Sequence, residues 1–356
     1  MGRARLRDLG ITIGKLPPGE HNAITDVPDV WVGHHSLVYD EPRCARTGVT
    51  VIIPRQDTIR EDHVFAGSHA LNGNGEMTGL LWVEESGMLG SPIALTNTSQ
   101  VGVVRDALTE YTVHEHSGAG FRLPVVAETW DGWLNDIDAF HLDKGHVFEA
   151  IADAGSGPVP EGNVGGGTGM ICHDFKGGIG TASRLVACEG GRFTVGALVQ
   201  ANHGERGDLR ADGVPVGREI GFELVPSPWE EVQSSSSIVV IIATDAPLLP
   251  VQCKRLAQRA TIGMARAGGI GHNGSGDLFL AFATGNHLPA HAGCTLPLAM
   301  IPHHHLNPFF YAVIEAVEEA ILNAMTAAET MLGYKGHIAQ ELPLDLLEQV
   351  MGKYRD

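Results

Sequence analysis

The four serines at 234–237 run directly into an apolar segment at 238–243. A serine hydroxyl attacks a carbonyl group only when a neighbouring base accepts its proton. An N-terminal serine carries such a base, because its own α-amino group has a pKa of about 7.7 to 8.0 and is partly neutral near pH 7. An internal serine gains that amine once the peptide bond before it is broken. The junction is therefore a candidate site at which the chain cuts itself and creates a nucleophile.

The segment after the serines decides whether this interpretation holds. A serine run by itself is more typical of a flexible linker. Residues 238–243 read Ile-Val-Val-Ile-Ile-Ala, a continuous apolar run of mostly β-branched residues that predicts a strand buried on both faces. A linker would not lead straight into the core. A strand start would also hold a scissile bond in a fixed and strained geometry.

From Ser237 to Pro250 the sequence resembles the start of the small subunit in the L-aminopeptidase D-amidase/D-esterase family, which includes the β-peptidyl aminopeptidases. The other matching motifs follow in order along nearly the whole chain. They lie at residues 22–28, 75–79, 127–129, 163–169, 199–202, 275–277 and 307–308. Because these markers span most of the chain, the resemblance is specific at the level of the family.

The resemblance implies a set of residues for cutting and for acyl transfer. In the family a Gly-Ser bond is cut autocatalytically and the serine becomes the nucleophile; the matching residue is Ser237. Ser236 stands where the family usually has glycine, which tolerates a wider range of backbone conformations, and is a register alternative for the nucleophile. Ser275 and Asp277 match a second serine and a carboxylate near the nucleophile. Relatives also use Glu at the latter position, and Asp reaches about one methylene less far.

Three further positions match family residues that bind substrate. Asn202 matches the asparagine whose side-chain amide is thought to stabilise the oxyanion, where loss of one such donor typically costs about 100- to 1000-fold in turnover. Glu128 matches the acidic residue that receives the free amino group of the substrate, since a buried ammonium group needs an anionic partner. Trp130 stands where the family commonly has a tyrosine, and its indole N–H donates but cannot exchange a proton.

The family also predicts the fold, the reaction and the assembly. We expect an α/β (α+β) enzyme with an αββα-like sandwich, a single catalytic domain over residues 1–356. It would be processed into a large subunit, 1–236, and a small subunit, 237–356. The reaction would release an N-terminal residue from a small peptide, amide or ester, with L-residues, D-alanyl groups or β-amino acids as possible substrates. No metal or organic cofactor is implied, and relatives assemble as tetramers of the processed heterodimer.

Two other function classes remain open from the sequence. A self-processing acetyltransferase of the ornithine acetyltransferase type would share the architecture, but those enzymes use threonine at the cut, and Glu128 favours peptidase chemistry. A non-catalytic relative is the second alternative, motivated by Ser236 in place of glycine and Trp130 in place of tyrosine.

Charge, hydropathy and cysteine content bear on which partners the protein binds and in which part of the cell it lies. The formal charge of −18 disfavours a polyanionic partner such as nucleic acid. No apolar stretch approaches the ~20 residues of a membrane span, and we expect a cytoplasmic protein. Five widely spaced cysteines without a C-x-x-C pair predict buried free thiols. Arg3, Arg5 and Arg7 are predicted to be a solvated start rather than a targeting signal.

The spacing of apolar residues and the positions of proline and capping residues predict the secondary structure around these motifs. Short apolar runs at 49–53, 196–199 and 278–283 predict strands. A helix is predicted over 247–267, opened by Asp245, and another from Asn307 as N-cap with Pro308 at the first position. The second helix presents a core stripe that contains Phe310, Ile314, Val317, Ile321, Ala324 and Ala328. Residues 155–167 and 204–217 are predicted to be surface loops.

Several other motifs are weaker candidates. The glycine-rich run at 165–169 lacks the order of a phosphate-binding loop, and close backbone packing near the active site is the favoured interpretation. Histidines 303–305 would point to opposite faces of an extended chain and have no carboxylate at ligand spacing, so no metal site is predicted there. Asp131, Asp136 and Asp138 lie close to Glu128 in sequence and are expected to be solvated charges.

Overall fold

The chain is described by a computed structural model over residues 2–56, 58–114, 123–188, 191–229, 236–291 and 293–354. The strands of this part are β1 (Trp31–Tyr39), β2 (Ala45–Ile53), β3 (Asp62–Gly73), β4 (Met88–Leu89), β5 (Ile93–Asn97), β6 (Val125–Thr129), β7 (Ile171–Cys172), β8 (Phe175–Lys176), β9 (Gly178–Cys188), β10 (Gly191–Asn202), β11 (Ser237–Thr244), β12 (Gly276–Pro289), β13 (Met331–Leu332) and β14 (Ile338–Ala339). The helices are α1 (Leu80–Ser86), α2 (Val101–His114), α3 (Lys144–Ala152), α4 (Val216–Glu219), α5 (Pro250–Arg266), α6 (Asn307–Ala327) and α7 (Leu344–Lys353).

Two sheets pack face to face between two layers of helices. One sheet has the order β1-β2-β5-β6 and the other the order β4-β3-β12-β11-β10-β9. Apolar side chains of both sheets, among them Ile52, Leu95, Val239 and Leu280, form the core between them. Helices α2 and α3 cover the outer face of the four-stranded sheet, and α5 and α6 cover the six-stranded sheet. The predicted αββα sandwich is therefore confirmed.

Strand β11 lies in the interior of the larger sheet. All eight of its residues are buried, with Val239 and Ile241 in the core between the sheets and Val240 and Ile242 in the core beneath the helices. This two-sided burial is what the apolar run predicted. The predicted strands at 49–53, 196–199 and 278–283 lie within β2, β10 and β12.

The pairing of β11 fixes which chain segments meet at its first residue. Strand β10 is antiparallel to β11, so it ends beside the start of β11 and pairs Asn202 with Ser237. Strand β12 is parallel to β11, so both strands begin together and Ser237 pairs with Gly276. Helix α5 makes the crossover that a parallel pair requires. The start of β11, the start of β12 and the end of β10 therefore lie side by side.

Helix α6 packs closely on the larger sheet. A β-carbon at Gly180 of β9 would lie 2.0 Å from the carbonyl oxygen of Ala320, so only glycine permits this approach. The predicted stripe is only part of the buried surface, because every residue from Glu315 to Thr326 is buried. Phe310 and Ile314, at the start of the predicted stripe, are only partly buried.

Both predicted helix starts need correction. Helix α5 begins at Pro250 with Leu249 in the capping position, not at 247. The carboxylate of Asp245 instead accepts the backbone N–H of Thr194 at 2.7 Å, which ties it to the neighbouring strand. Helix α6 includes Asn307 as its first residue, so the residue in the capping position is Leu306.

The N-terminal arginines are docked on the body of the protein rather than solvated. Arg5 donates to the backbone carbonyls of His21 and Asn22 at 2.8 and 2.7 Å, and Arg7 pairs with Glu319 of α6 at 2.7 Å. Arg3 donates to the carbonyl of Met325 at 3.0 Å. These partners are more than ten residues away in sequence, so the local pattern did not reveal them.

The two predicted surface loops are also partly buried. Gly165, Gly166 and Gly167 form a buried 3₁₀ turn, and the side chains of Arg206 and Leu209 are inside the protein. The cysteines are all free, as predicted. Only two of them, Cys172 and Cys253, are buried. None of the described helices combines the length and apolar character that crossing a membrane requires.

A buried ion cluster joins β9 to α6. Arg184, whose side chain is fully buried, pairs with Glu315 at 3.1 Å and with Glu319 at 2.6 Å. Asn22 donates to Glu319 and accepts the backbone N–H of Ser183 at 3.0 Å. The cluster therefore connects the N-terminal segment, the edge of the larger sheet and its covering helix.

We predict that Arg184→Met lowers the free energy of unfolding by about 3 to 5 kcal/mol, because it removes the cation that pairs with the buried Glu315 and one of the two cations that pair with the buried Glu319. Urea denaturation monitored by circular dichroism measures the change. Arg192→Met is the matched control, since Arg192 is an exposed arginine of the neighbouring strand β10 and should change stability by less than about 0.5 kcal/mol. Equal effects of the two substitutions would contradict the role assigned to the cluster.

Candidate active site

Ser237 lies at the first position of β11, where the strand leaves the core. It is 8% exposed and its hydroxyl faces the start of β12. The backbone N–H of Gly276 lies 3.3 Å from Ser237 Oγ and donates at 3.1 Å to the carbonyl oxygen of Ser236. The bond predicted to be cut therefore has a hydrogen-bond donor on its carbonyl oxygen and the attacking hydroxyl beside it. Ser234 and Ser235, the first two serines of the run, lie outside the described residues.

A chain of hydrogen bonds runs from the serines into the protein. Ser236 Oγ donates to Ser275 Oγ at 3.1 Å, and Ser275 Oγ donates to Asp277 Oδ1 at 2.6 Å. Asn72 holds the other carboxylate oxygen of Asp277 at 2.8 Å. Burial raises the pKa of the Asp277 carboxyl. The shorter aspartate reaches its serine, and the direct partner of that serine is Ser236 rather than Ser237.

The side-chain amide of Asn202 is fixed from two sides. Its Oδ1 accepts the backbone N–H of Ile171 at 2.8 Å, and its Nδ2 donates to the carbonyl oxygen of Trp130 at 3.0 Å. The second hydrogen on Nδ2 makes a further donor. Asn202 is the cross-strand neighbour of Ser237, and both residues line the same cavity.

Glu128 is a buried carboxylate at the end of β6, in the four-stranded sheet. It accepts the backbone N–H of Glu76 at 2.9 Å and the hydroxyl of Thr98. Burial raises the pKa of Glu128 despite these two donors. Within the described part of the chain no lysine, arginine or histidine forms an ion pair with it. A buried anion that is hydrogen-bonded but has no cation is suited to receive a positively charged group.

One cavity brings four of the predicted residues together. Ser237, Asn202, Glu128 and Trp130 all line it, so the two sheets each contribute to the same space. The remaining lining residues are Asn74, Thr98 and Gly274. A second cavity adjoins the first through Trp130 and Asn202 and is also lined by Ser236, Trp133 and Trp229. Ser275 and Asp277 lie behind the serines rather than in the wall of either cavity.

Sequence reasoning missed several residues of this site. Thr98 follows the end of β5 and donates to Glu128, and Asn72 lies near the end of β3 and donates to Asp277. Polar residues at the ends of buried strands are a usable signal for a site, and both positions had it. The backbone N–H of Gly276 left no signal in the sequence, because its role depends on the register between β11 and β12.

The weaker motifs are now resolved. The glycine run packs closely as predicted: a β-carbon at Gly166 would lie 2.2 Å from Gln200 Oε1, and the N–H groups of Gly165 and Gly166 donate to hydroxyls of Ser36 and Thr50. His303–His305 form a 3₁₀ helix rather than an extended segment.

The carboxylates near Glu128 do not behave alike. Asp131 and Asp136 are buried rather than solvated, and Arg43 pairs with Asp136 at 2.6 Å. Burial raises the pKa of Asp131 to about 7. Only Asp138, which lies in a 3₁₀ turn, is without a buried side chain.

Comparison with known proteins finds similarity to a peptidase family and to several aminopeptidases. The model of peptidase family S58 matches residues 22–339. The chain is 46% identical to the β-peptidyl aminopeptidase BapA of Sphingosinicella microcystinivorans over 369 aligned residues, which cover 99% of this chain and 92% of that protein. Among solved structures, a Burkholderia sp. β-aminopeptidase superposes with a TM-score of 0.93 at 51% identity, covering 98% of this chain and 99% of that one. An L-aminopeptidase D-Ala-esterase/amidase from Ochrobactrum anthropi, described as a prototype for the serine aminopeptidases and a variant of the Ntn hydrolase fold, superposes with a TM-score of 0.93 at 43% identity and 99% coverage of both chains.

We predict that Glu128→Gln stabilises the protein at pH 7. Burial raises the pKa of Glu128 above its unfolded value of about 4.3, so its contribution to stability is full below that value and is lost as pH rises through the folded pKa. The neutral amide avoids the buried charge, and the expected gain is roughly 0.5 to 2 kcal/mol, the usual range for a single stabilising substitution. Urea denaturation at pH 7 and at pH 4 measures it, and the gain should shrink at the lower pH.

Glu85→Gln is the matched control, because Glu85 is an exposed glutamate of α1 and is not among the groups that shift the pKa of Glu128. It should leave stability unchanged within about 0.5 kcal/mol. A destabilised Glu128→Gln at pH 7 would show that the carboxylate is held by a favourable charge interaction instead.

Proposed function

The chain belongs to peptidase family S58, and on that basis we propose that it is a serine aminopeptidase with an N-terminal nucleophile, which releases N-terminal residues from small peptides, amides or esters. The observation that carries this proposal is the shared cavity of Ser237 and Glu128. A hydroxyl nucleophile and a buried carboxylate that has no cationic partner among the described residues line one space, as cleavage next to a free amino group requires. Endopeptidases have no need of such an anion.

The first step of the proposed sequence is self-cleavage between Ser236 and Ser237. Ser237 Oγ attacks the carbonyl carbon of Ser236, and the bond to the nitrogen of Ser237 breaks as that nitrogen takes up the hydroxyl proton, so an ester replaces the amide and the α-amine is freed. Water then hydrolyses the ester, which frees the hydroxyl of Ser237 and leaves a carboxyl group on Ser236. The N–H of Gly276, 3.1 Å from the carbonyl oxygen, supports this step because it is aimed at the atom that becomes negative. The products are chains 1–236 and 237–356.

The free α-amine of Ser237 then serves as the general base for turnover. It takes the hydroxyl proton as Oγ attacks the substrate carbonyl, and that proton is passed to the leaving amine. Water hydrolyses the acyl-enzyme in the second half of the reaction. Asn202 stabilises the oxyanion with its amide N–H, and Glu128 pairs with the substrate ammonium group. We assign Ser275 and Asp277 an orienting or proton-relay role, and their hydrogen bonds reach Ser236, the residue next to the nucleophile.

Trp130 shapes the cavity in place of the tyrosine that relatives commonly carry. Its carbonyl oxygen positions Asn202, and its ring packs so closely on Gly132 that a β-carbon there would lie 2.6 Å from the indole. We assign it a binding role, since an indole N–H cannot release a proton at neutral pH.

Substrates with an N-terminal β-amino residue are the preferred class, because two of the similar proteins are named as β-aminopeptidases at 46% and 51% identity. L-amino acids and D-alanyl amides or esters are the alternatives. Initial rates with matched p-nitroanilides of β-homoalanine, L-alanine and D-alanine distinguish these substrate classes. Family membership weighs against acetyl transfer, and a non-catalytic relative would be inert with all three compounds.

Assembly into a tetramer of processed heterodimers stays a prediction. Exposed apolar side chains on one extended segment, Leu296, Leu298 and Met300, support self-association because such surfaces are costly in water. Light scattering coupled to gel filtration measures the mass. A cytoplasmic location also stays a prediction from the sequence.

We predict that Ser237→Ala remains a single chain of 356 residues and is inactive, because it lacks both the attacking oxygen and the later nucleophile. Denaturing mass spectrometry of the wild type should give two fragments, one that ends at residue 236 and one that begins at residue 237. Ser236→Ala is the control and should still be cut, since its side chain lies outside the strand. Normal cutting of Ser237→Ala together with failure of Ser236→Ala would place the nucleophile one residue earlier.

We predict that Asn202→Ala is still processed but loses about 100- to 1000-fold in kcat, the usual cost of one oxyanion donor. Michaelis–Menten kinetics with an amino-acid p-nitroanilide measure kcat and KM separately. Asn163→Ala is the control, because Asn163 also donates its amide to a backbone carbonyl, that of Glu329 at 2.9 Å, but is not in the wall of either cavity. A kcat of Asn202→Ala equal to that of the wild type would contradict the assignment of Asn202 as the oxyanion donor.

A further inference from the structure

Three buried side chains with metal-binding atoms meet behind the active-site cavity. Cys172, His173 and His203 are 0%, 0% and 3% exposed. One sulfur or nitrogen atom of each lies within 4.8 Å of those of the other two. Cys172 Sγ lies 3.8 Å from His203 Nδ1, and the two imidazole rings meet edge to face with centroids 5.2 Å apart. The proposed peptidase mechanism uses none of these groups.

The fold holds the three residues together through backbone contacts. Cys172 ends β7, His173 follows it in the turn of the β7–β8 hairpin, and His203 follows the last residue of β10. The backbone N–H of His173 donates to the carbonyl oxygen of His203 at 2.8 Å. The cluster is therefore preformed rather than assembled from mobile loops.

The hydrogen bonds of the histidines leave ligand atoms free. His173 Nδ1 lies 2.9 Å from the carbonyl oxygen of Glu205, so this nitrogen carries the proton and Nε2 carries the lone pair. A ring nitrogen fixed by a backbone carbonyl is the usual support of a metal-binding histidine. The Nε2 atoms of both rings are buried and have no hydrogen-bond partner among the described residues. Unpaired buried polar atoms are costly, and a bound ligand would remove that cost.

Charged groups of both signs lie near the cluster. Lys176 is fully buried four residues after Cys172, and the guanidinium of Arg206 donates to the backbone carbonyl of His173 at 3.1 Å. Asp174, the residue after His173, is a buried carboxylate that accepts the indole N–H of Trp229 at 2.6 Å. A bound metal would displace the thiol proton to solvent and leave a thiolate with one negative charge against the two positive charges of the ion.

We propose that Cys172, His173 and His203 bind one thiophilic transition-metal ion of the Zn²⁺ class. Zinc takes sulfur at about 2.3 Å and imidazole nitrogen at about 2.0 to 2.1 Å in a tetrahedron, which places ligand atoms roughly 3.3 to 3.8 Å apart. The observed separations reach that range with a closure of about 1 Å. His203 lines the second cavity with Gly204 and Trp229, so the fourth position would be open to water.

Metal binding would act on the geometry of the oxyanion residue. Cys172 follows Ile171, whose backbone N–H holds Asn202 Oδ1 at 2.8 Å, and His203 follows Asn202 itself. The ion would therefore link the two chain segments whose separation sets the position of that amide. Asn202 remains the group assigned to the reaction, and the metal ligands are positioning residues.

Titration of the purified, chelator-treated full protein with CoCl₂ tests the site. Cobalt replaces zinc in such sites and reports a cysteine ligand by thiolate-to-metal charge-transfer absorption. The expected result is that absorption with one equivalent bound per chain, a Kd tighter than about 1 µM and reversal by Zn²⁺. Zn²⁺ should also raise Tm, because an ion that binds only the folded state stabilises it.

Cys172→Ser should abolish the charge-transfer absorption and weaken metal binding by at least about 10-fold, the minimum expected even for loss of a supporting partner. Cys253→Ser is the matched control, since Cys253 is equally buried but lies in α5 beside the carbonyl of Phe65. If Cys172→Ser does not fold, His173→Gln tests the site through affinity: it keeps the thiolate but loses one nitrogen ligand, and it should weaken cobalt binding by at least about 10-fold. Absence of the absorption in the wild type, or its persistence in Cys172→Ser, would overturn the proposal.

Discussion

The structure depends on a strand that must be buried on both faces and still present its first residue to substrate. Strand β11 satisfies both needs because it lies between β10 and β12, with one neighbour antiparallel and the other parallel. This register brings the end of β10 and the start of β12 beside Ser237. The amide of Asn202, the N–H of Gly276 and the serine hydroxyl are therefore positioned by main-chain pairing. Rigid elements of this kind hold reacting groups more accurately than loops do.

The four-stranded sheet contributes a buried carboxylate to the site. Glu128 lies at the end of β6, and the packing of the two sheets brings it into the cavity of Ser237. Burial raises the pKa of both Glu128 and Asp277, so each carboxylate is less stable as an ion than it would be in water. A loss of folding stability of this kind is common where a functional group must be buried in its charged form. The buried cluster around Arg184 shows the opposite arrangement, in which the carboxylates have their cation.

Much of the fold followed from the sequence because its signals are local. The apolar run after the serines, the glycine-rich packing and the two long helices are properties of neighbouring residues. The errors arose where distant contacts decide. Asp245 binds Thr194 instead of opening a helix, Arg5 and Arg7 dock on remote segments, and Asp131 and Asp136 are buried. The site residues were named through the family resemblance, whereas Thr98, Asn72 and the N–H of Gly276 required the three-dimensional register.

The order of strands in the larger sheet has a consequence for the processed protein. Strands β11 and β12 come from the region after the proposed cut, yet they lie between β3 and β10, which come from the region before it. Cleavage would thus produce two interlocked polypeptides that share one sheet and cannot separate while it is intact. Once denatured, they would have to find each other again by diffusion. The lifetime of the mature molecule would then be governed by its rate of unfolding rather than by a reversible equilibrium.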